Sequence, residues 1–428
     1  MKKSILSFCL VFMGILLMCH GQSISTTLPR GSQKAIVGQT IGLTEVMLTY
    51  HRPAVNERKV WGKLVPYDVV WRAGANENTI ISFSKDVRIE GKPLAAGTYG
   101  LHMIPSESDW QIIFSNNSTS WGSFSYNPAE DALRVSVKAQ NTPGHIEQLS
   151  YTFGDIKADR ANCQMMWGKK MVDFSIETDV HAQVLANIRN EMRNKAGWTW
   201  RGWHEAANYC LQNEVNLQEA MAWATRSVFM SPTPQNLITK ARLSAKNQGQ
   251  EGDQAMASMI ASLDNDLTSF SVSWREYFGC ATYLNRQQSH PEKALAWMEK
   301  SVEMSPNMTN MMAQAQMLAS NGEEKAAGKI KKAAIARGTN NELNTYGYTL
   351  LNTGRTQEAI DIFVANTEKH PKDPNVWDSL GDGYSRIGEK DKAVAALKKS
   401  LSMNPPANVK ANSLRLLRQL GVDTSQNQ

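Results

Sequence analysis

The sequence predicts a multidomain chain, with an N-terminal all-β antiparallel sandwich followed by an all-α solenoid of helical hairpins. Three observations carry this reading. Short alternating segments separated by turn residues fill residues 35–178. The apolar period then lengthens to four, with Val180, Val184, Ile188 and Met192 on one helical face. From about Arg201 onward a motif returns at a spacing near 34 residues.

The first 21 residues read as a signal peptide. Lys2 and Lys3 precede an apolar run from Ile5 to Met18, about 14 residues where a membrane span needs roughly 20. Cys19 and Gly21 place cleavage after Gly21, and residues 22–34 then read as a linker. Acylation of Cys19 is the alternative; Leu17-Met18 before it stands against that, because small residues are wanted there. No later stretch is apolar enough to span a bilayer, so the mature chain is expected to be exported, periplasmic or extracellular.

Composition narrows the partners. The net charge of +6 is small and evenly spread over 428 residues, which excludes a nucleic-acid footprint. Twelve Trp, 11 Tyr and 11 Phe exceed what a disordered chain carries. Five Cys are too few for a disulfide scaffold. Cys9 and Cys19 fall in the leader, so Cys163, Cys210 and Cys280 allow at most one bridge and read as small buried hydrophobes.

In the β region the expected strands are Thr44–Tyr50, Thr79–Phe83, Thr98–Ile104, Trp110–Ser115, Leu133–Val137, Gln148–Phe153, Asn162–Trp167 and Met171–Ile176. Leu133, Val135 and Val137 alternate with Arg134, Ser136 and Lys138, the period of a half-buried strand. Eight short strands without intervening helices argue for a sandwich or barrel.

After a connecting helix at 179–200, the repeats run over 201–407. The clearest copy holds Trp377, Leu380, Gly381 and Tyr384, then Ala393, Leu397 and Pro405. At the same spacing upstream stand Leu343, Tyr346, Gly347 and Leu350, then Ala359, Phe363 and Pro371. Trp377, Leu380 and Tyr384 lie three and four apart and share a helix face, so Trp377 is expected to be buried. Gly354 and Gly388 sit where a turn needs positive φ, and each Pro ends its unit. Pro232 and Pro306 mark fainter copies, giving about six hairpins, with a capping helix in 408–428. These residues match the tetratricopeptide repeat, whose family binds peptides and proteins in a concave groove. Carried over, the groove positions are Asn341, Asn344 and Tyr348, then Asn375, Asp378 and Asp382. A solvated solenoid surface is the plainer alternative.

The β region resembles a second family. Gly42-Leu43-Thr44-Glu45, Tyr50-His51-Arg52-Pro53 and Val60-Trp61-Gly62 lead into Val70-Trp71-Arg72-Ala73-Gly74-Ala75-Asn76-Glu77-Asn78-Thr79. Gly91-Lys92-Pro93-Leu94, Ala96-Gly97-Thr98-Tyr99-Gly100-Leu101 and Trp121-Gly122 follow. Together they resemble the domain of unknown function 2911 family over roughly Gln33 to Glu177. The resemblance implies a β-rich exported bacterial domain and supplies no reaction or ligand.

Within that domain, Arg72 to Glu77 packs a cation, an amide and a carboxylate around Gly74 and Ala75. Such a turn suits a carboxylate, phosphate or sugar hydroxyl, and Arg72, Asn76, Glu77 and His102 are the expected ligand residues. The competing reading pairs Arg72 with Glu77 across the turn and uses Asn76 for a left-handed conformation. The five Trp of the domain serve either its core or a sugar platform. No His-x-His, His-Glu-x-x-His or Cys-x-x-Cys occurs, so no metal is expected. No nucleophile elbow, phosphate loop or dinucleotide fingerprint occurs either, so no cofactor or catalytic residue is assigned. The expected function is an exported scaffold that binds a protein or peptide through its repeats, with a possible small ligand in the β domain. The alternative is a cell-envelope hydrolase or carbohydrate-active protein sited in that domain.

Overall fold

A computed structural model describes residues 29–424. The signal peptide, its cleavage site and the first part of the linker lie outside the described residues. The chain divides into two compact units, with the boundary between Arg189 and Asn190.

The first unit is a two-sheet antiparallel sandwich. Its larger sheet has strand order β1 (Gln33–Ile41), β2 (Thr44–Arg52), β3 (Thr79–Phe83), β6 (Gly97–Ile104), β7 (Asp109–Ser115), β8 (Asp131–Lys138). The smaller sheet has the order β5 (Lys92–Leu94), β4 (Val87–Ile89), β10 (Arg160–Glu177), β9 (Gln140–Gly154). Alternation explains the layering: Val46, Leu48 and Tyr50 of β2 turn inward while Glu45 and Met47 turn out. The two inner faces meet across one core, with Phe114 of β7 edge-on to Phe174 of β10 at 5.5 Å. Trp61 fills the centre, 4.6 Å from Trp110 and 5.7 Å from Trp167, ring centroid to centroid. Four of the five tryptophans thus serve the core, and Trp121 is the exception at 55% exposure.

Four strands, β1, β4, β5 and β10, differ from the sequence expectation. β1 lies in what read as linker and loop; it is an edge strand with a half-exposed face, so its apolar alternation is weak. β4 and β5 are three residues each, joined by Glu90-Gly91 with both residues at positive φ, the geometry of a tight hairpin. The two expected strands Asn162–Trp167 and Met171–Ile176 are one strand. Gly168-Lys169-Lys170, which reads as a break, is a bulge with Gly168 at φ +62°, and the strand continues through it.

A helix, α1 (Val180–Glu191), follows β10, and Gln183 ties it to the sandwich: Thr44 Oγ1 donates to Gln183 Oε1 at 3.0 Å. The second unit is helical, with α2 (Trp200–Asn213) and α3 (Leu217–Met230) forming a first hairpin. Four more pairs follow: α4 (Pro234–Asn247) with α5 (Gly252–Ser269), α6 (Trp274–Arg286) with α7 (Pro291–Met304), α8 (Met308–Ser320) with α9 (Glu324–Arg337), and α10 (Asn340–Asn352) with α11 (Thr356–Lys369). The sixth pair is α12 (Pro374–Arg386) with α13 (Lys390–Leu401), and α14 (Ala407–Gln419) covers it. Gly354 and Gly388 adopt φ of +77° and +80° between the helices of the last two hairpins.

A polar tie recurs inside these hairpins. A small polar residue late in the second helix donates to the first carbonyl of the first helix. Ser227 Oγ reaches Trp200 O at 2.7 Å, Ser301 Oγ reaches Trp274 O at 2.8 Å, and Ser400 Oγ reaches Pro374 O at 2.8 Å. Trp377, expected to be buried, is only half-buried; its indole N–H donates to Pro371 O at 3.0 Å near the surface. Among the described residues no helix is long and apolar enough to cross a membrane. Cys163, Cys210 and Cys280 are buried and no disulfide joins them.

Candidate functional site

The Arg72–Glu77 segment enters β3 and is held from beneath. The Ala73 carbonyl accepts from Thr79 Oγ1 at 3.1 Å and from Tyr151 Oη at 2.9 Å, and Trp71 Nε1 donates to the Gly74 carbonyl at 3.2 Å. Ala73 and Gly74 are buried, so this backbone offers its polar groups to the protein rather than to a ligand. Ala73 and Asn76 are both at positive φ, and Asn76 Nδ2 donates to Ser32 O at 3.1 Å.

The side chains of the segment do not pair as the simplest reading expects. Glu77 reaches past Arg72: its Oε1 accepts from Arg30 Nη1 at 2.5 Å, and its Oε2 lies 3.2 Å from His51 Nε2 without hydrogen-bond geometry. Burial works against its charge, but the bonds from its own backbone and Arg30 prevail and hold the carboxyl below its usual range. Burial lowers the His51 pKa, and Arg30, Lys34 and Arg72 add to that effect against Glu77. No described carboxylate or carbonyl accepts from Arg72, whose buried Nε has no partner. Its Nη1 lies against Gly122, where a Cβ would come within 2.9 Å of it. Trp121 pairs with Glu77 through its backbone, and Arg30 stacks over the Trp121 ring at 5.4 Å.

His102 sits deeper. It is 2% exposed, its Nδ1 lies 2.9 Å from Ser123 Oγ, and its ring stands 5.4 Å from that of Tyr126. Burial pushes its pKa down to about 4, so the imidazole is neutral at pH 7. Arg72 and His102 therefore meet the same loop, at Gly122 and Ser123, while Glu77 and Asn76 flank it. Arg30 and His51 complete the cluster. Arg30 carries no local signal in the sequence, because it lies far upstream in the stretch that reads as linker.

The helical unit offers a separate concavity. A groove of about 500 Å³ opens between α8 and α10. Met308, Met312 and Ala313 supply its apolar wall, and Asn341, Thr345 and Tyr346 face them. Of the expected groove residues, Asn341 lines this space. Asn344 is half-buried, with its Oδ1 enclosed and without a partner. Tyr348 packs edge-on against Phe363 at 5.2 Å, and burial pushes its hydroxyl pKa up to about 12. Asn375 is half-buried at the start of α12. Asp378 is buried and accepts from Asn412 Nδ2 at 2.8 Å, and Asp382 is buried and takes Arg386. Both carboxylates are committed to partners within the chain.

Among the described residues no group of three or more His, Cys, Asp or Glu is placed to hold a metal ion.

Residues 32–176 match the family described as protein of unknown function (DUF2911), and residues 374–406 match the tetratricopeptide repeat. No curated protein matches the chain. Solved structures similar to it include MamA (residues 41 to the end) from Desulfovibrio magneticus RS-1, at 17% identity and a TM-score of 0.22, over 34% of this chain and 84% of that one. YrrB, described as a TPR protein with an unusual peptide-binding site, is 15% identical with a TM-score of 0.20, over 53% of this chain and 96% of its own. The APC/C hetero-tetramer Cut9-Hcn1 is 15% identical with a TM-score of 0.24, and this chain spans only 45% of the matched chain's length. By the two family matches, the chain carries a DUF2911 domain at residues 32–176, followed by a tetratricopeptide repeat region.

Proposed function

We propose that this protein is an exported scaffold that grips a protein or peptide partner with its helical repeats, while its β domain holds a small ligand. The groove between α8 and α10 is the observation that carries the reading. It is concave, walled by Met308, Met312 and Ala313, and rimmed by the amide of Asn341 and the hydroxyl of Thr345. An apolar peptide side chain fits the methionine wall, because thioether side chains adapt to varied shapes. The rim supplies hydrogen bonds for a peptide backbone. Export rests on the composition of the first 21 residues. The test is selection of a displayed peptide library on the full chain, followed by titration of the selected peptides against Met312→Lys. Peptides that bind the parent and lose roughly tenfold or more in affinity for the variant support the groove. Peptides indifferent to the change place binding elsewhere.

A second reading, a cell-envelope hydrolase or carbohydrate-active protein, rests on the Glu77–His51 pair, a partly exposed carboxylate 3.2 Å from a buried imidazole in the β domain. Turnover of a cell-envelope substrate by the parent that disappears in a folded Glu77→Ala variant would favour it.

A further inference from the structure

Buried polar atoms without partners are uncommon in native proteins, and a concentration of them marks something that the chain alone does not supply. Three such atoms fall within Arg72–Asn78 (Arg72 Nε, Glu77 Oε2 and Asn78 Oδ1), and a fourth, Nδ1, belongs to the His51 ring whose Nε2 lies 3.2 Å from Glu77; of these, Arg72 Nε is a donor that lacks an acceptor. Charge at this place is also unbalanced. Arg30, Lys34 and Arg72 all act on His51, and among the described residues Glu77 is the carboxylate that opposes them there. Glu77 is taken by Arg30 at 2.5 Å, which leaves the Arg72 guanidinium as a half-buried cation with no described acceptor. Removing a guanidinium from water without an anion is costly, so such a site favours an incoming one.

The surroundings suit a small molecule. A Cβ on Gly122 would come within 2.9 Å of Arg72 Nη1 and 3.1 Å of the exposed Phe124 ring, so glycine lets the guanidinium and this ring close on the loop together. Trp121, next to Gly122 in the chain, stands 55% exposed even with Arg30 stacked over its ring at 5.4 Å. Asn76, half-buried, adds an amide at the rim.

We infer that the β domain binds a small molecule bearing an oxyanion, carboxylate or phosphate, which pairs with Arg72 while the body of the molecule lies on Trp121. A guanidinium fork meets either oxyanion with two parallel hydrogen bonds, which a neutral hydroxyl cannot match. The inference rests on the reading of this domain as a ligand-binding module and deepens it by naming the chemistry.

The experiment is calorimetric titration of the full chain with three probes that share one ring: glucuronate, glucose 6-phosphate and glucose. The expected result is binding of at least one of the two anions about tenfold or more tighter than glucose. Which anion binds separates a carboxylate from a phosphate ligand. Arg72→Gln removes that preference, and Trp121→Ala, a change at an exposed side chain, weakens the anion several-fold and leaves folding intact. If Arg72→Gln fails to fold, the Trp121→Ala titration and the glucose comparison still decide. Equal binding of glucose and the anions, lost in Trp121→Ala, overturns the oxyanion and keeps the ligand-binding module. Binding of none of the three overturns both.

Discussion

Ser413 Oγ donates to Asp378 Oδ1 at 2.5 Å, which joins the capping helix to the first helix of the sixth hairpin through a buried carboxylate. Burial raises the Asp378 pKa, and the bonds from Ser413 and Asn412 oppose that and keep a charge acceptable there. The position is one that the repeat pattern assigns to the groove. In the last hairpin it serves as the attachment point of the cap instead.

Replacing Asp378 with Ala should therefore loosen the C-terminal end first. Ser413 and Asn412 both lose their acceptor, which costs about 1–3 kcal/mol. Hydrogen exchange in α14 should quicken more than exchange in α2 to α7. Uniform exchange along the solenoid would show that the cap is held by its apolar face alone.

Gly381 should not tolerate a methyl group. A Cβ there would lie 2.6 Å from Leu397 Cγ on the paired helix. Gly381→Ala should cost about 1–3 kcal/mol in urea unfolding, through overpacking rather than backbone strain. Gly322→Ala meets open space, so any cost there is that of its φ of +83° alone.

His102 makes stability depend on pH. Its folded pKa of about 4 lies below the usual 6.5, so between those values the unfolded chain binds more protons. Stability from this group is full above pH 6.5 and falls as the pH drops toward 4, by about 3 kcal/mol at most. Urea unfolding of the parent between pH 7 and 4 should show this slope, and His102→Leu should flatten it. An unchanged slope in the variant would assign the effect to other groups.

Trp377→Ala should cost about 1–3 kcal/mol, less than a fully buried Trp, because the ring is half-buried and its N–H bond to Pro371 is near the surface. Thermal unfolding of the variant measures it.

The repeat architecture was legible because its signals are local. Gly354, Gly388, Pro371 and Pro405 each impose a backbone geometry where they stand. A longer internal match was also readable. Ser227-Val228-Phe229-Met230-Ser231-Pro232 returns as Ser301-Val302-Glu303-Met304-Ser305-Pro306, and both copies place a Ser hydroxyl on an Asn amide, Asn236 at 3.0 Å and Asn310 at 3.2 Å. The β domain was less legible where its features are non-local. β1 draws its identity from pairing with β2, and its outward Ile36 is 60% exposed. The partner of Glu77 proved to be Arg30, which no spacing rule connects to it. Arg72 and His102 were visible as residue types; their meeting at the Gly122-Ser123 loop depends on strand order, which the sequence does not spell out.

The claim that the repeats grip a partner through the groove between α8 and α10 is tested most directly by the affinity of selected peptides for the full chain and for Met312→Lys. The expected result is a loss of roughly tenfold or more in the variant, with its melting temperature retained. Equal affinity for the two proteins, or a library that yields no binding peptide, would contradict it.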